Sequence, residues 1–436
     1  MNLDYFIASK VAASGQRSFS RLIIRIAIAA IALSVSIMII ATALIAGFKN
    51  EISEKIFGFW GHIHITQTNI NRSLLDIYPV DTDQPFYPSL DTVEHIEYLA
   101  PLRILGIEVP GQWREVQSQG GISHIQVFAL KPGIIETKDE IEGIILKGVG
   151  KDFNWDYLQR YLVEGEALTL PDTAASNEVL ISRQTADRLD LAVGDRFIVY
   201  FVKDNQQLRR AFKIAGIYKT GLEEYDRKFA IVDIRKIQQL LDWTESEVAG
   251  FEVFIDNIDD LDAYTEYVYL EELPATTDLF AESIREKFPN IFEWLDLQDI
   301  NEVVILALML VVSIINMITA LMILILERAS MIGILKALGY SNWGIRKIFL
   351  YYASWIILVG LFWGNLIGLG LCFLQEKFGI IQLSEADYYL SVAPIELHFW
   401  TILGLNLLTM TVTLIFLVLP SYLVSRISPV KAIRFK

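Results

Sequence analysis

Four apolar stretches divide this chain unevenly. One covers residues 22–48, and the other three, 303–326, 348–374 and 399–420, crowd the C-terminal third. Each exceeds the roughly 20 residues a helix needs to cross a hydrocarbon core. The stretch between the first and second is polar, acidic and long enough for one or two domains. The layout predicts an α-helical membrane protein with four transmembrane helices and a large α+β domain inserted between helices 1 and 2. Its 53% hydrophobic content is high for a soluble protein and low for one lying wholly in lipid.

The formal net charge of -15 hides a segregation. Between Lys49 and Asp299 there are 24 Lys and Arg against 45 Asp and Glu, while the rest of the chain is basic. All the basic residues outside that stretch but Lys377, which lies in the 375–398 segment, fall in three places. Lys10, Arg17, Arg21 and Arg25 open the first helix; Arg328, Lys336, Arg346 and Lys347 lie between the second and third; Arg426, Lys431, Arg434 and Lys436 follow the fourth. Four crossings put all three places on one face, and the positive-inside rule makes that face cytoplasmic. The expected division is a cytoplasmic amphipathic segment at 1–21, transmembrane helix 1 at 22–48, an exported α+β domain with helical stalks at 49–301, and helix 2 at 302–326. A cytoplasmic loop at 327–347, helix 3 at 348–374, an external loop at 375–398, helix 4 at 399–420 and a cytoplasmic tail at 421–436 complete it. The long polar leader and uninterrupted first helix read as a signal anchor rather than a cleaved signal peptide.

Cys372 is the only cysteine, and it falls in the third apolar stretch. The exported domain must therefore hold together without disulfides, and cysteine-based zinc and iron–sulfur sites are excluded. Alternation at 61–66, 179–182, 196–202, 208–217, 229–232 and 251–255 predicts strands. Residues 203–207 read as a hairpin connection, and 69–87 as loop. Helices are expected at 183–189, from Asp233 as N-cap through Trp243, from about 256 to 272, and at 281–300, the last feeding the second membrane helix.

The most informative short segment follows the second apolar stretch. Met331, Ile334, Leu335 and Leu338 line one side of a helical turn, and Gly339 stops it. A loop that only joined two helices needs no apolar face, so that face has either a protein partner or lipid against it. The third helix carries Gly360, Gly364 and Gly368 at four-residue spacing, a ladder that lets helices approach closely within a subunit or between two. Asn316, Asn365 and Asn406 sit near mid-membrane and need amide partners, which interhelical hydrogen bonds supply. The stripe Leu44, Phe48 and Ile52 leaving the first helix is a candidate for lipid or cargo contact, and equally for packing on the exported domain. No crossing has an ionisable group at its middle, which excludes the usual pathway of a proton- or sodium-coupled transporter. No nucleotide-binding loop, catalytic motif or convincing metal pattern occurs; His62 and His64 share a strand face but have no further ligand nearby in sequence.

The segment ERASMIGILKALGYSNWGIRKIFL (327–350) resembles the cytoplasmic coupling loop of the FtsX-like permease superfamily, usually R-x-x-E-I-G-I-L-R-A-L-G-A. GFKNEISEKIFGFWGHIHI (47–65), SVAPIELHFW (391–400) and PSYLVSRISPVKAIRFK (420–436) are similar to segments of its lipoprotein-releasing, Lol-type members. The resemblance covers both ends and the three C-terminal helices and is loose in the middle of the exported domain. It implies an inner-membrane ABC permease subunit, both termini cytoplasmic and the large domain periplasmic. It would work as a homo- or heterodimer with a second permease subunit and a separate cytoplasmic ABC ATPase. ATP and magnesium would bind that ATPase, and this chain would bind no cofactor and catalyse nothing itself. Gly333, Ile334, Leu335, Lys336, Leu338 and Gly339 would form the helix seated in the ATPase. A lipoprotein substrate and a periplasmic lipoprotein carrier are the implied partners, with no nucleic acid. Two departures stand out: Ser330 and Met331 replace the family's acidic residue, and 203–207 is too short for the Pro-containing hook that engages the carrier. The other reading is a mechanotransmitting permease that regulates a periplasmic partner without moving cargo.

Overall fold

The structure, a computed structural model, describes residues 18–68, 78–104, 107–136, 141–203, 206–274 and 277–427. Most of the leader expected to be amphipathic, part of the loop expected at 69–87 and the end of the tail lie outside these residues. The chain forms two compact units: Met1–Glu51, Glu293–Gln382 and Val392–Lys436 in one, Ile52–Phe292 and Leu383–Ser391 in the other.

Helices make the first unit. They are α1 (Ser18–Trp60) as far as Glu51, α2 (Pro289–Glu327) from Glu293 on, α3 (Ala329–Ala337), α4 (Asn342–Phe378) and α5 (Phe399–Ser421). Four of them, all but α3, are long and apolar enough to cross a membrane by length and composition. They outrun their apolar stretches: the 43 residues of α1 reach about 65 Å at 1.5 Å per residue. The glycine ladder explains how α4 lies against α1. A Cβ on Gly360 would stand 2.7 Å from the Ile31 side chain, and one on Gly364 would stand 2.8 Å from that of Val35. That approach lets the Ser36 hydroxyl donate to the Gly364 carbonyl at 2.9 Å. Ile31, Val35 and Met38 of α1, Leu321 and Ile325 of α2 and Phe349 and Ile356 of α4 are core residues of this unit. Asn365 and Asn406 exchange reciprocal amide bonds at 2.7 and 3.0 Å between α4 and α5, so each amide is satisfied without water. Asn316 is half-buried on α2 and stands outside that pair.

The second unit is built on a ten-stranded mixed sheet. The strands of this unit are β1 (Ile63–Gln67), β2 (Val80–Asp81), β3 (Glu97–Ile104), β4 (Ile107–Gln117), β5 (Ile122–Glu136), β6 (Ile141–Val149), β7 (Leu162–Gly165), β8 (Glu178–Ser182), β9 (Arg196–Lys203), β10 (Gln206–Tyr218), β11 (Phe229–Asp233), β12 (Glu247–Val248), β13 (Gly250–Ile255) and β14 (Leu279–Ser283). The main sheet runs β14-β1-β13-β5-β6-β11-β8-β10-β7, with β9 pairing β10 and β5. Parallel pairs β6–β11 and β8–β10 sit among antiparallel ones. β3 with β4, and β2 with β12, form separate two-stranded ribbons. Asp233 caps the helix Ile234–Leu241 by accepting from the Arg235 N–H, as its position before an apolar-periodic run requires.

Strands β2, β3, β4, β7 and β12 were not expected from the sequence, and β2 falls within the loop expected at 69–87; two further differences have a clear physical reason. Residues 281–283 belong to strand β14, not to the helix expected at 281–300; Ala281 and Ser283 are held by pairing with Ile65 and Ile63, and Ser283 then forms a capping box with Glu286 that starts Ile284–Lys287. The long strands β5 and β6 were not anticipated, because β5 lies between β13 and β6 and is buried continuously from Ile125 to Leu130. A strand covered on both faces shows no period-two pattern. Lys203 pairs with Gln206, so β9 and β10 extend into the stretch expected as connection at 203–207, of which residues 204 and 205 lie outside the described ones. Residues of the expected external loop also belong to this unit: Glu385 pairs with Lys219 at 2.7 Å, and the Tyr389 carbonyl accepts from Lys55 at 3.2 Å.

Candidate coupling site

The loop between α2 and α4 is a short helix closed at its C-terminus. Gly339 adopts φ +84. Its N–H donates to the Lys336 carbonyl at 3.0 Å and that of Tyr340 to the Leu335 carbonyl at 3.0 Å, the paired bonds of a Schellman closure. Ser341 then caps α4 by accepting from the Gly344 N–H at 3.1 Å. A helix stop and a helix start are thus compressed into three residues, which fixes the direction of α3 relative to α4.

The six residues proposed for coupling do not share one role. Ile332 and Gly333 are buried, and Met331 and Leu335 pack half-buried against the helical core. Ile334 and Leu338 point outward, 51% and 79% exposed, and Gly339 is exposed beside them. Trp343 at the start of α4 and Tyr422 beyond α5 are also more than half exposed. Lys336 does something the sequence did not reveal. Its ammonium donates to the carbonyls of Val424, Ser425 and Ile427 at 2.7, 3.2 and 2.9 Å. Those are the carbonyls at the end of the helix Leu423–Arg426, where a cation is favoured. Partial burial, and Arg346 nearby, lower the Lys336 pKa. Arg346 completes the clamp, its guanidinium 3.8 Å above the Tyr422 ring and bonded to the Ser425 hydroxyl. The signal in the sequence was the need for caps on a C-terminal helix end, but nothing said that two basic residues of a distant loop would supply them.

The other candidate residues separate by burial. Gly360, Gly364 and Gly368 pack against α1 within the subunit. Ile52 is fully buried, whereas Leu44 and Phe48 are half-buried and retain accessible surface. His62 stacks on Phe57 with ring centroids 4.4 Å apart, and its Nδ1 accepts from the Ile255 N–H at 3.2 Å. Burial holds its pKa down to about 3. Among the described residues no cluster of His, Cys, Asp and Glu could hold a metal ion.

Comparison with known proteins places the chain in a family. The FtsX-like permease C-terminal family matches residues 303–429, and the MacB-like periplasmic core domain matches residues 26–268. The lipoprotein-releasing system transmembrane protein LolC of Xylella fastidiosa is 21% identical over 97% of this chain and 96% of its own length. LolC of Buchnera aphidicola is 24% identical over 93% and 90%, and LolE of Haemophilus influenzae 21% identical over 99% of each. The extracellular domain of a noncanonic ABC-type transporter, YknZ, covers 33% of this chain and 71% of its own at 15% identity, with a TM-score of 0.24, a likeness too slight to argue from. With more than half its length matched by one family and its three C-terminal apolar helices by the other, this chain belongs to the FtsX-like permeases that carry a MacB-like periplasmic core domain.

Proposed function

We propose that this chain is the membrane subunit of an ABC-type lipoprotein-releasing complex, which uses ATP hydrolysis on a separate cytoplasmic ATPase to extract lipoproteins from the inner membrane for sorting to the outer membrane. The observation that carries this reading is α3: an outward apolar edge, Ile334 and Leu338, on a helix whose inner face is locked into the bundle. It supports a docking element on a chain that aligns along nearly its whole length with lipoprotein-releasing transmembrane proteins. In this reading residues 22–48, 302–326, 348–374 and 399–420 cross the inner membrane within the longer helices. Both termini and the 327–347 loop are cytoplasmic, as the three basic clusters favour, and the domain inserted between helices 1 and 2 is periplasmic. ATP and magnesium bind the partner ATPase, and a second permease subunit completes the dimer. Leu44 and Phe48 are the accessible part of the stripe proposed for lipid or cargo contact. Depletion of the protein in cells tests the reading: lipoproteins destined for the outer membrane accumulate in the inner membrane, and normal sorting in depleted cells refutes it.

One observation favours a second reading. Lys203 pairs with Gln206, which leaves no room there for a carrier-binding hook; that fits a non-hook subunit of the release complex or a system that recruits its carrier differently, and it also fits a permease that transmits motion to a periplasmic partner without cargo. Acylated peptide or lipoprotein copurifying with the complex decides for release, and its absence together with a stably bound periplasmic protein decides for transmission.

A further inference from the structure

The membrane-distal end of α1 stops in a knot of buried charge. Gly61, at φ +75, ends the helix, leaving the last carbonyls without helical partners. The Lys147 ammonium, from β6, donates to the Phe59 carbonyl, and the His64 imidazole, from β1, donates through Nε2 to that of Trp60 at 2.6 Å. Lys147 stands 4.9 and 5.0 Å from the ring centroids of Phe59 and Trp60. It also pairs with Glu252 of β13 at 2.7 Å. The other Glu252 oxygen accepts from Gln126 of β5 at 2.7 Å, whose own carbonyl oxygen accepts from the Asn154 N–H at 2.9 Å. Lys147, Glu252, His64 and Gln126 are each no more than 1% exposed.

The second long helix reaches the same knot. Lys287, in the helix Ile284–Lys287 that precedes α2, donates to His64 Nδ1 at 2.8 Å. His64 therefore donates at one nitrogen and accepts at the other, the arrangement of a neutral ring. The Ile284 N–H bonds the His62 carbonyl at 2.9 Å, and Phe292 packs on Phe57 with centroids 5.5 Å apart. The strand that receives the chain from α1, β1, and the strand that sends it toward α2, β14, are paired neighbours. Burying a charge pair this completely costs desolvation that an apolar pair would avoid, so stability alone does not account for it. What the ions do that apolar residues could not is bond directional carbonyls at a helix end.

We propose that Lys147 and Glu252 are positioning residues, which with His64 fasten the end of α1, residues 57–60, and the segment 284–292 that leads into α2 to the sheet of the second unit. This goes further than the transport reading and rests on it for its purpose: motion reaching the domain would be lost in a compliant hinge if the helix ends were free.

The test uses the full chain in complex with its ATPase, in lipid nanodiscs, as wild type and as the double variant Lys147→Met, Glu252→Gln. The double variant removes the Lys147–Glu252 pair together, so neither partner is left without the other, while Lys287 keeps Glu282 as an acidic neighbour; the amide at 252 still accepts from Gln126, and the Phe59 carbonyl loses its cap. Amide hydrogen exchange across residues 57–65 and 284–288 is read beside lipoprotein released per ATP hydrolysed. The expected result is exchange faster by on the order of tenfold, the equivalent of one lost hydrogen bond to a charged group, with hydrolysis continuing and release per ATP falling by a similar factor. A role only in folding would lower the amount of complex and leave release per ATP unchanged. Unchanged exchange, or faster exchange with unchanged release per ATP, overturns the proposal. If the wild-type complex hydrolyses ATP and releases no lipoprotein, the transport reading fails, and exchange alone then decides whether the joint exists.

Discussion

A lysine caps a helix end in each of the two units, under opposite conditions. Lys147 holds the Phe59 carbonyl from a fully buried position with Glu252 as its counter-ion. Lys336 holds three carbonyls of the tail from a site that is only partly buried. Solvent can replace the bonds of Lys336 at little cost, because a freed ammonium near the surface is rehydrated. It cannot replace those of Lys147, whose removal leaves Glu252 buried and alone. The chemistry of the two caps is the same; burial makes one a fixed joint and the other a clamp that can open.

Breaking each cap measures the contrast, and the largest effect belongs to the buried one. Lys147→Met alone should destabilise the exported domain by about 3–5 kcal/mol, read by chemical denaturation in detergent, and adding Glu252→Gln should recover most of the loss. A Lys147→Met protein within about 0.5 kcal/mol of wild type would remove the contrast altogether. On the exposed side, Leu338→Asp should leave folding within about 0.5 kcal/mol of wild type and weaken ATPase association by about 2 kcal/mol, roughly thirtyfold. Pull-down of the ATPase with purified permease reads it; undiminished capture would deny α3 its docking role.

Acid should act on the buried side first. His62 is held at about 3 against its usual 6.5 by burial, and His64 is likewise held well below 6.5 by burial and by Lys287. The unfolded chain takes up these protons below pH 6.5 and the folded one does not. The stability they confer is present above that pH and is lost as pH falls toward the folded value, at about 1.4 kcal/mol per pH unit for each histidine. His62→Gln should reduce the slope of unfolding free energy between about pH 4 and 6 by about 1.4 kcal/mol per pH unit, and an unaltered slope would mean that His62 is already charged when folded. Gly339→Val should cost about 1–2 kcal/mol locally, from φ alone, since a Cβ there meets nothing within 4 Å. ATPase capture should fall with it and recover in Gly339→Asn, which tolerates the left-handed region. Smallest of all, Lys336→Met should cost about 1 kcal/mol and show only as faster hydrogen exchange at residues 423–427.

Much of the scaffold could be read directly. The helices stand where twenty-residue apolar runs put them, because a polar backbone in lipid has so few ways to be satisfied. Gly339 was legible as a stop because positive φ selects glycine, and Asp233 as a cap because its carboxylate has a local N–H to accept from. β5 was not legible, since a strand buried on both faces carries no alternation, and β14 was hidden because its strand identity comes from pairing with β1. The coupling segment was found from its sequence, but its two faces were not told apart. Ile334 and Leu335 are equally apolar, and only the packing of α3 shows that one faces out and the other is half-buried.

The sequence by itself determined the number of apolar helices, the acidic stretch between the first and second apolar runs, and the helical turn closed by Gly339. These follow from composition, periodicity and local backbone geometry, all of which act within a few residues. Only the tertiary structure decided what the charges do. Lys147, Glu252, His64 and Lys287 are scattered across the exported domain and look like surface residues of an acidic protein; Lys336 looks like a contact for a partner. Pairing of β1, β5, β6 and β13 gathers the first set around one helix end, and the fold of the tail turns Lys336 inward. A charge acts through distance and burial, and neither is fixed until the chain is folded.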